Sequence, residues 1–288
     1  MRWVAPIALF FAWGFTMHAV GLLLHEFAGH ALVAVVLGCG IDAYALTFFG
    51  HGQVHRVICD RWTFERVILC DWAGLAVTSA VGLAAGLYLR RRPGLAPMPK
   101  LLLALVAFFF LIGQLGYAVN GGFHDLYDPG RTARWLGARG VHWLAWVPAL
   151  IAYAVAAVLS ARAAIDAFRA HFGSRSRLRT VGQLAGTLGI AGVLYFIAFR
   201  IEWAIRTDLW MRGVAVEAER IAAERHVAPP FPIDKVLLVI ALGALVWALA
   251  RPVRQPPPPQ PIGRSTLIAV VGSTAITFLL VLVLVLAS

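Results

Sequence analysis

Seven long apolar stretches run through this sequence and restrict it to structures that a lipid bilayer can hold. A helix that crosses the hydrocarbon core needs about 20 apolar residues. The stretches lie at 5–37, 66–89, 101–120, 141–162, 182–203, 235–250 and 266–287. The sequence therefore predicts an all-α polytopic membrane protein with about seven transmembrane helices. The first stretch is too long for one upright crossing, so it must tilt, break or extend beyond the bilayer.

Composition and charge favour a membrane protein over a nucleic-acid-binding protein. Hydrophobic residues make up 60% of the chain and charged residues 14%, whereas soluble domains carry about 25% charged residues. The formal net charge of +11 comes largely from arginines in short loops between the apolar stretches, as is typical of membrane proteins. We therefore expect one integral membrane domain over residues 1–288, surrounded by the lipid bilayer and without a nucleic acid partner.

The distribution of basic residues among the loops indicates an orientation. Arginines with few acidic neighbours occur near 90–100, 169–179 and 251–264. Because cytoplasmic loops are enriched in Lys and Arg, the pattern predicts a cytoplasmic N-terminus. The first stretch begins like a signal peptide but has no A-x-A cleavage site, so we expect it to be retained. The predicted location is the cell (inner) membrane.

Three segments between the apolar stretches have distinct compositions. Residues 41–58 are rich in β-branched and aromatic residues and predict an extended or hairpin structure. The segment at 204–234 contains a sequence that favours a short surface helix, and the proline-rich segment at 251–264 predicts a stiff linker. The cysteines, Cys39, Cys59 and Cys70, have no CxxC spacing, and we expect them to act as small apolar side chains.

The first apolar stretch contains a polar motif, His25-Glu26-Phe27-Ala28-Gly29-His30. Ionisable side chains within a span are costly and therefore usually functional. Imidazole is a good zinc ligand, and a glutamate beside it can accept a proton from water activated by the metal. The competing interpretation is a polar cluster that only joins neighbouring helices by hydrogen bonds. The motif favours a metal or proton site.

The spacing of the two histidines predicts an irregular helix. The usual zinc-protease motif H-E-x-x-H puts both histidines on one helix face. Here one more residue separates them, and His25 and His30 would lie about 140° apart on a regular α-helix. Both can bind one ion only if a π-bulge or a break lies between Leu24 and Ala31. Alternatively, Glu26 and His30, which are four residues apart, share a face and form the ligand pair.

At this point the sequence resembles the site-2 protease family, the intramembrane zinc metalloproteases. The stretch LLHEFAGHALVAVVLGCGIDAYALTFFG is similar to the opening of that family's core, and Trp72–Thr78 corresponds to its A-G-P-x-x-N stretch, with Leu75 for proline and Thr78 for asparagine. Tyr127-Asp128-Pro129-Gly130-Arg131 resembles the family's L-D-G-G-R motif. The resemblance covers roughly residues 17–137.

The resemblance implies a function and a set of site residues. His25, His30 and Asp128 become ligands of Zn²⁺, and Glu26 becomes the general base. The implied activity is hydrolysis of peptide bonds in or near transmembrane segments, with a membrane protein or peptide as the substrate. The metalloprotease-like core is then expected at about 5–137, with additional C-terminal helices at 138–288. Substrate identity and oligomeric state do not follow from the sequence.

Other interpretations use the same or neighbouring residues. His25 with His30, and His51 with His55, resemble the histidine boxes of membrane di-iron oxygenases and desaturases. Further ligands for such a centre are His18, His124 and His142. A third interpretation is a catalytically inactive membrane scaffold that binds a metal. Within the third motif, Asp128 can also simply open a turn before Pro129, and His124 and Asp125 compete with it as ligands.

Overall fold

The computed structural model of the protein describes residues 4–49, 52–125, 127–205, 231–252 and 261–287. Within these residues, seven helices are long and apolar enough to cross a membrane, as predicted. We name them the first to the seventh span in chain order: Val4–Val36, Phe64–Arg91, Pro97–His124, His142–Phe172, Arg177–Ile205, Ile233–Ala250 and Arg264–Leu286. The protein is therefore a multi-pass helical membrane protein, and the predicted fold class is confirmed.

Several spans are not α-helical throughout their length, and a further short helix, which we call the loop helix, lies between the third and fourth spans. The α-helices are Val4–Leu23, Leu32–Val36, Phe64–Arg91, Pro97–Phe108, Gln114–His124, Tyr127–Gly137 (the loop helix), Val147–Phe172, Arg177–Leu184, Ile190–Ile205, Ile233–Ala250 and Arg264–Ala287. The π-helical segments are Leu24–Ala31, Phe109–Gly113 and Ala185–Gly189, and His142–Ala145 is a 3-10 helix.

A β-hairpin follows the first span, as residues 41–58 predict. Its strands are β1, Gly40–Leu46, and β2, Gly52–Ile58, which pair antiparallel with Gly40 opposite Ile58. This register places the residues that flank the two strands next to each other, and Cys39 and Cys59 form a disulfide there. The expectation that these two cysteines are only apolar filler is therefore wrong. Cys70 is a buried free thiol, in agreement with that expectation.

The hairpin is held by contacts with three different spans. The ring of Tyr44 contacts that of Phe27 in the first span, with 5.3 Å between ring centroids. Its hydroxyl donates to the Leu284 carbonyl oxygen of the seventh span at 3.4 Å. The carboxylate of Glu202 in the fifth span accepts hydrogen bonds from the backbone N–H groups of Phe48 and Phe49, at 2.5 and 2.7 Å. The hairpin therefore has a fixed position against the bundle.

The first three spans form the most buried part of the bundle, whereas the fifth and seventh are the least buried. The π-helical segment of the first span packs against the second span, and the loop helix packs against the second and third spans. The motif-bearing elements therefore meet at one place. The expected surface helix within 204–234 and most of the proline-rich segment at 251–264 lie outside the described residues.

Candidate metal centre

The two motif histidines lie on a π-helical segment, Leu24–Ala31, and not on a regular α-helix. The predicted irregularity between Leu24 and Ala31 is thus confirmed. In a π-helix the backbone bonds run from residue i to i+5, so residues five apart lie on successive turns of one face. His25 and His30 have this spacing, and their ring centroids are 4.7 Å apart. A π-turn thus places the two histidines of H-E-x-x-x-H on one helix face, as an α-turn does for the histidines of H-E-x-x-H.

Four predicted site residues come together around this segment. One ligand atom from each of His25, Glu26 and His30 lies within 4.8 Å of the others. Asp128 reaches the same place from the loop helix, where its Oδ2 atom lies 3.4 Å from His25 Nε2 and 3.2 Å from His30 Nε2. By their mutual distances, His25, Glu26 and His30 could hold a metal ion.

The distances between the ligand atoms suit a tetrahedral ion. Zinc binds histidine nitrogen and carboxylate oxygen at about 2.0–2.2 Å, which puts the ligand atoms of a tetrahedral site about 3.3–3.5 Å apart. The separations of 3.4 and 3.2 Å between Asp128 and the two histidines are close to this value. Tyr117 also donates its hydroxyl to the same Asp128 Oδ2 at 3.0 Å. Two imidazole nitrogens and a phenol thus converge on one carboxylate oxygen.

The second span approaches the π-helical segment so closely that only glycine fits at the contact. A Cβ added to Gly29 would collide with the backbone of Gly74, and a Cβ on Gly74 would lie 2.8 Å from the imidazole ring of His25. The close crossing of the two helices therefore seats the His25 ring directly on the Gly74 backbone. This explains why a small residue occurs within the Trp72–Thr78 motif, whose glycine is Gly74.

The backbone of the second span also orients His30. The Cys70 carbonyl oxygen accepts a hydrogen bond from His30 Nδ1 at 2.6 Å. Histidines that bind metals usually donate their second ring nitrogen to a carbonyl or carboxylate, which fixes the tautomer. With the proton on Nδ1, His30 Nε2 carries the lone pair that faces Asp128 and Glu26. The hydrogen bonding of His30 thus fits a metal ligand.

The loop helix owes its position to local turn geometry. Asp125 ends the third span in a left-handed conformation, with φ of 57°. The backbone of Asp125 then lies against Gly130, where a Cβ would collide with it. Asp125 itself pairs with His142 at 2.9 Å. The motif Asp128-Pro129-Gly130 is therefore the first turn of a helix that directs Asp128 to the histidines. Asp125, which competes with Asp128 as a ligand by sequence, is instead paired with His142.

Two side chains of the second span join it to the loop helix. Arg131 donates to the Asp71 carboxylate at 2.5 Å, and the Trp72 indole N–H donates to Thr132 Oγ1 at 2.9 Å. The Asp71 side chain is only 1% exposed. Together with the Cys70 carbonyl, three consecutive residues of the second span thereby hold the two elements that carry His30 and Asp128.

Glu26 is buried beside the histidines and held by the hairpin. Its Oε2 atom accepts a hydrogen bond from the backbone N–H of Val54 in β2 at 2.9 Å. This bond fixes the orientation of the Glu26 carboxylate. Because β2 supplies the N–H group that holds Glu26 of the first span, the hairpin is a structural part of the site.

The electrostatics of Asp128 suit an anionic ligand. Burial alone would raise the pKa of the Asp128 carboxyl, but the adjacent imidazole rings of His25 and His30 outweigh it and lower that pKa below its usual range. Asp128 is therefore a carboxylate at neutral pH, the form in which it can bind a metal.

The residues that support the four site residues were not predicted from the sequence. Tyr117 and Asp71 belong to no motif considered above, and Arg131, although it ends the Tyr127–Arg131 motif, was given no role. The Cys70 contact uses a backbone atom, which leaves no sequence signal. Asp71 could have been noticed, because an acidic residue in an apolar span requires a partner.

Three further histidines of the di-iron interpretation have contacts outside the His25–His30 cluster. His18 contacts the ring of Tyr195, and His142 pairs with Asp125. The ring of His124 contacts that of its neighbour Phe123. His51 lies outside the described residues, and only the backbone of His55, in β2, is described.

Comparison of the chain with protein-family models, with curated proteins and with solved structures found no match in any of the three. The resemblance to the site-2 protease family therefore depends on the sequence motifs alone.

Asp71→Asn is expected to weaken metal binding, because it removes the charge that holds Arg131 and thus the loop helix. Losing such an outer partner of a ligand typically costs about 10–100-fold in metal affinity. The measurement is zinc retention in competition with a chelator. The matched control is Asp166→Asn, which changes an exposed ion pair with Arg162 in the fourth span and should leave retention unchanged. Equal retention in Asp71→Asn and wild type would show that the Asp71–Arg131 pair does not support the site.

Proposed function

We propose that this protein is an intramembrane zinc metalloprotease that hydrolyses peptide bonds in or near transmembrane segments of other membrane proteins. The observation that supports this proposal is the convergence of His25, His30 and Asp128 around one point, with Glu26 beside them. The proposed location is the cell (inner) membrane.

In this proposal, His25, His30 and Asp128 hold the zinc ion. A zinc ion in such a site polarises a carbonyl group and makes water acidic enough to react near neutral pH. Glu26 accepts the proton of the attacking water and passes it to the amine that leaves when the peptide C–N bond breaks. Val54 keeps the Glu26 carboxylate oriented through its N–H group. Tyr117, by donating to Asp128, stabilises the negative charge of that ligand.

The hairpin supports a mode of substrate binding. A transmembrane helix must unwind before a protease can reach its peptide bonds, and an extended segment can bind by adding a strand to an existing sheet edge. The hairpin has two strands only, and β2 contacts Glu26 through Val54. An unwound substrate segment that lies along the hairpin would therefore run close to the proposed general base.

Replacement of Glu26 by glutamine tests the proposal. Glu26→Gln should reduce peptide hydrolysis by about 10²–10⁴-fold, the usual contribution of a general base, while the protein still binds about one zinc per chain. Hydrolysis is measured on a single-span peptide with a fluorophore and a quencher, reconstituted with the protein in liposomes.

The matched control is Glu65→Gln, which changes an exposed glutamate in the first turn of the second span and should retain full hydrolysis. Undiminished hydrolysis by Glu26→Gln would disprove the assigned role of Glu26. If the wild-type protein holds zinc but hydrolyses none of the single-span peptides tested, a metal-binding scaffold becomes the better description.

A further inference from the structure

The disulfide at the base of the hairpin bears on the side of the membrane from which the site is reached. Cys39 follows the first span and Cys59 precedes the second, so the Cys39–Cys59 disulfide marks the face of the membrane that carries the hairpin. Disulfides form and persist in oxidising compartments and are rare in the cytosol. The hairpin face is therefore the non-cytoplasmic face.

The metal centre lies toward this same face. Two spans separate the hairpin from the loop helix, so both are on one side of the membrane. His30 precedes Val36, the end of the first span, by about 9 Å of helix, whereas half of the hydrocarbon core is about 15 Å thick. Asp128 comes from the loop helix, just beyond the third span. The four site residues therefore lie in the membrane half that carries the disulfide.

The opposite face has the charge pattern of a cytoplasmic surface. The short connections between the second and third spans and between the fourth and fifth spans are flanked by Arg90, Arg91, Arg92 and Lys100 in one case and by Arg169, Arg175, Arg177 and Arg179 in the other. No acidic residue lies between 90 and 100 or between 169 and 179. Short loops of this type are retained in the cytoplasm, in agreement with the disulfide.

We propose that the site opens toward the non-cytoplasmic face and that its substrates are the outer ends of transmembrane segments, cleaved in the outer half of the bilayer. The substrate class rests on the proposed protease function, whereas the orientation does not. An unwound segment that enters from the non-cytoplasmic side contacts the disulfide-closed hairpin before it reaches Glu26.

The orientation can be measured without any activity. A membrane-impermeant maleimide applied to intact cells should label Ala138→Cys, at an exposed position after the loop helix, but not Arg92→Cys or Arg175→Cys until the cells are permeabilised. Wild type is the background control, because Cys70 is buried and the other two cysteines are paired. In denatured wild-type protein, one thiol should react before reduction and three after it. Labelling of Arg92→Cys from outside, or three free thiols without reduction, would overturn the orientation.

The substrate class needs a second measurement. Two co-expressed single-span test proteins carry a helix-breaking Gly-Pro pair, one in the outer half of its span and the other in the inner half. Cleavage should occur only in the first, and Glu26→Gln should abolish it. Cleavage of the second would disprove the proposed substrate class. If neither is cleaved while the labelling pattern holds, the protease proposal fails together with the substrate class, and the orientation stands.

Discussion

Purified His30→Ala protein is expected to retain almost no metal, whereas the wild-type chain should hold about one zinc ion. His30 is the best supported of the proposed ligands. Its Nε2 atom lies 3.2 Å from Asp128 Oδ2, and its Nδ1 atom is bound to the Cys70 carbonyl. Removing the ring leaves two protein ligands, fewer than the three that catalytic zinc sites use. Elemental analysis after dialysis against a weak chelator measures the loss.

His124→Ala is the matched control for this experiment. His124 is half-buried at the end of the third span, close in sequence to Asp128, and is a competing ligand by sequence. The His124→Ala protein should keep its metal. Retention of zinc by His30→Ala and loss by His124→Ala would contradict the assigned centre. Thermal unfolding of both variants separates metal loss from misfolding, and Asp128→Asn provides an independent ligand substitution with little change in size.

Deleting Ala28 creates the familiar H-E-x-x-H spacing and is expected to leave metal binding intact. The 8 π-helical residues of Leu24–Ala31 turn through about the same total angle as one residue fewer in a regular α-helix, so the parts before and after the shortened segment keep nearly the same relative orientation. The hydrogen bonds of Trp13 to Leu102 and of Thr16 to Thr274 before the segment are therefore expected to persist, as is the contact of Gly29 with Gly74. The two histidines then share one face of an α-helix.

The measurements are zinc retention and the unfolding temperature in detergent, and both should stay close to the wild-type values. Ala28→Ser, which keeps the spacing, should resemble wild type. Full zinc binding and unchanged stability after the deletion would mean that the π-turn only compensates for an inserted residue. Loss of both would mean that the surrounding bundle is built around the longer spacing.

The extent to which sequence predicts this structure differs between elements. The seven spans follow from long apolar stretches, which have few alternatives in a membrane. The π-turn follows from a geometric conflict, because two histidines five residues apart cannot share one face of an α-helix. The convergence of Asp128 on His25 and His30 follows only from the order of motifs in a resembling family, since no periodicity connects residues so distant along the chain.

Other features depend on contacts that sequence does not encode locally. The Cys39–Cys59 disulfide was missed because its two cysteines have no informative spacing, and only the register of β1 and β2 brings them together. The contact between Gly29 and Gly74 requires knowledge of where two helices cross. The Asp71–Arg131 pair joins two elements whose relative position is unknown until the bundle is assembled.

The hairpin attachments have a consequence for the order in which the protein is completed during synthesis. All four site residues have been translated once residue 128 is made. The Phe48–Phe49 turn, however, is held by Glu202 in the fifth span, and Tyr44 bonds to Leu284 in the seventh span. Translation must therefore pass residue 284 before the hairpin that orients Glu26 gains these two supports. A fragment ending at residue 137 would contain every site residue and still lack these two anchors.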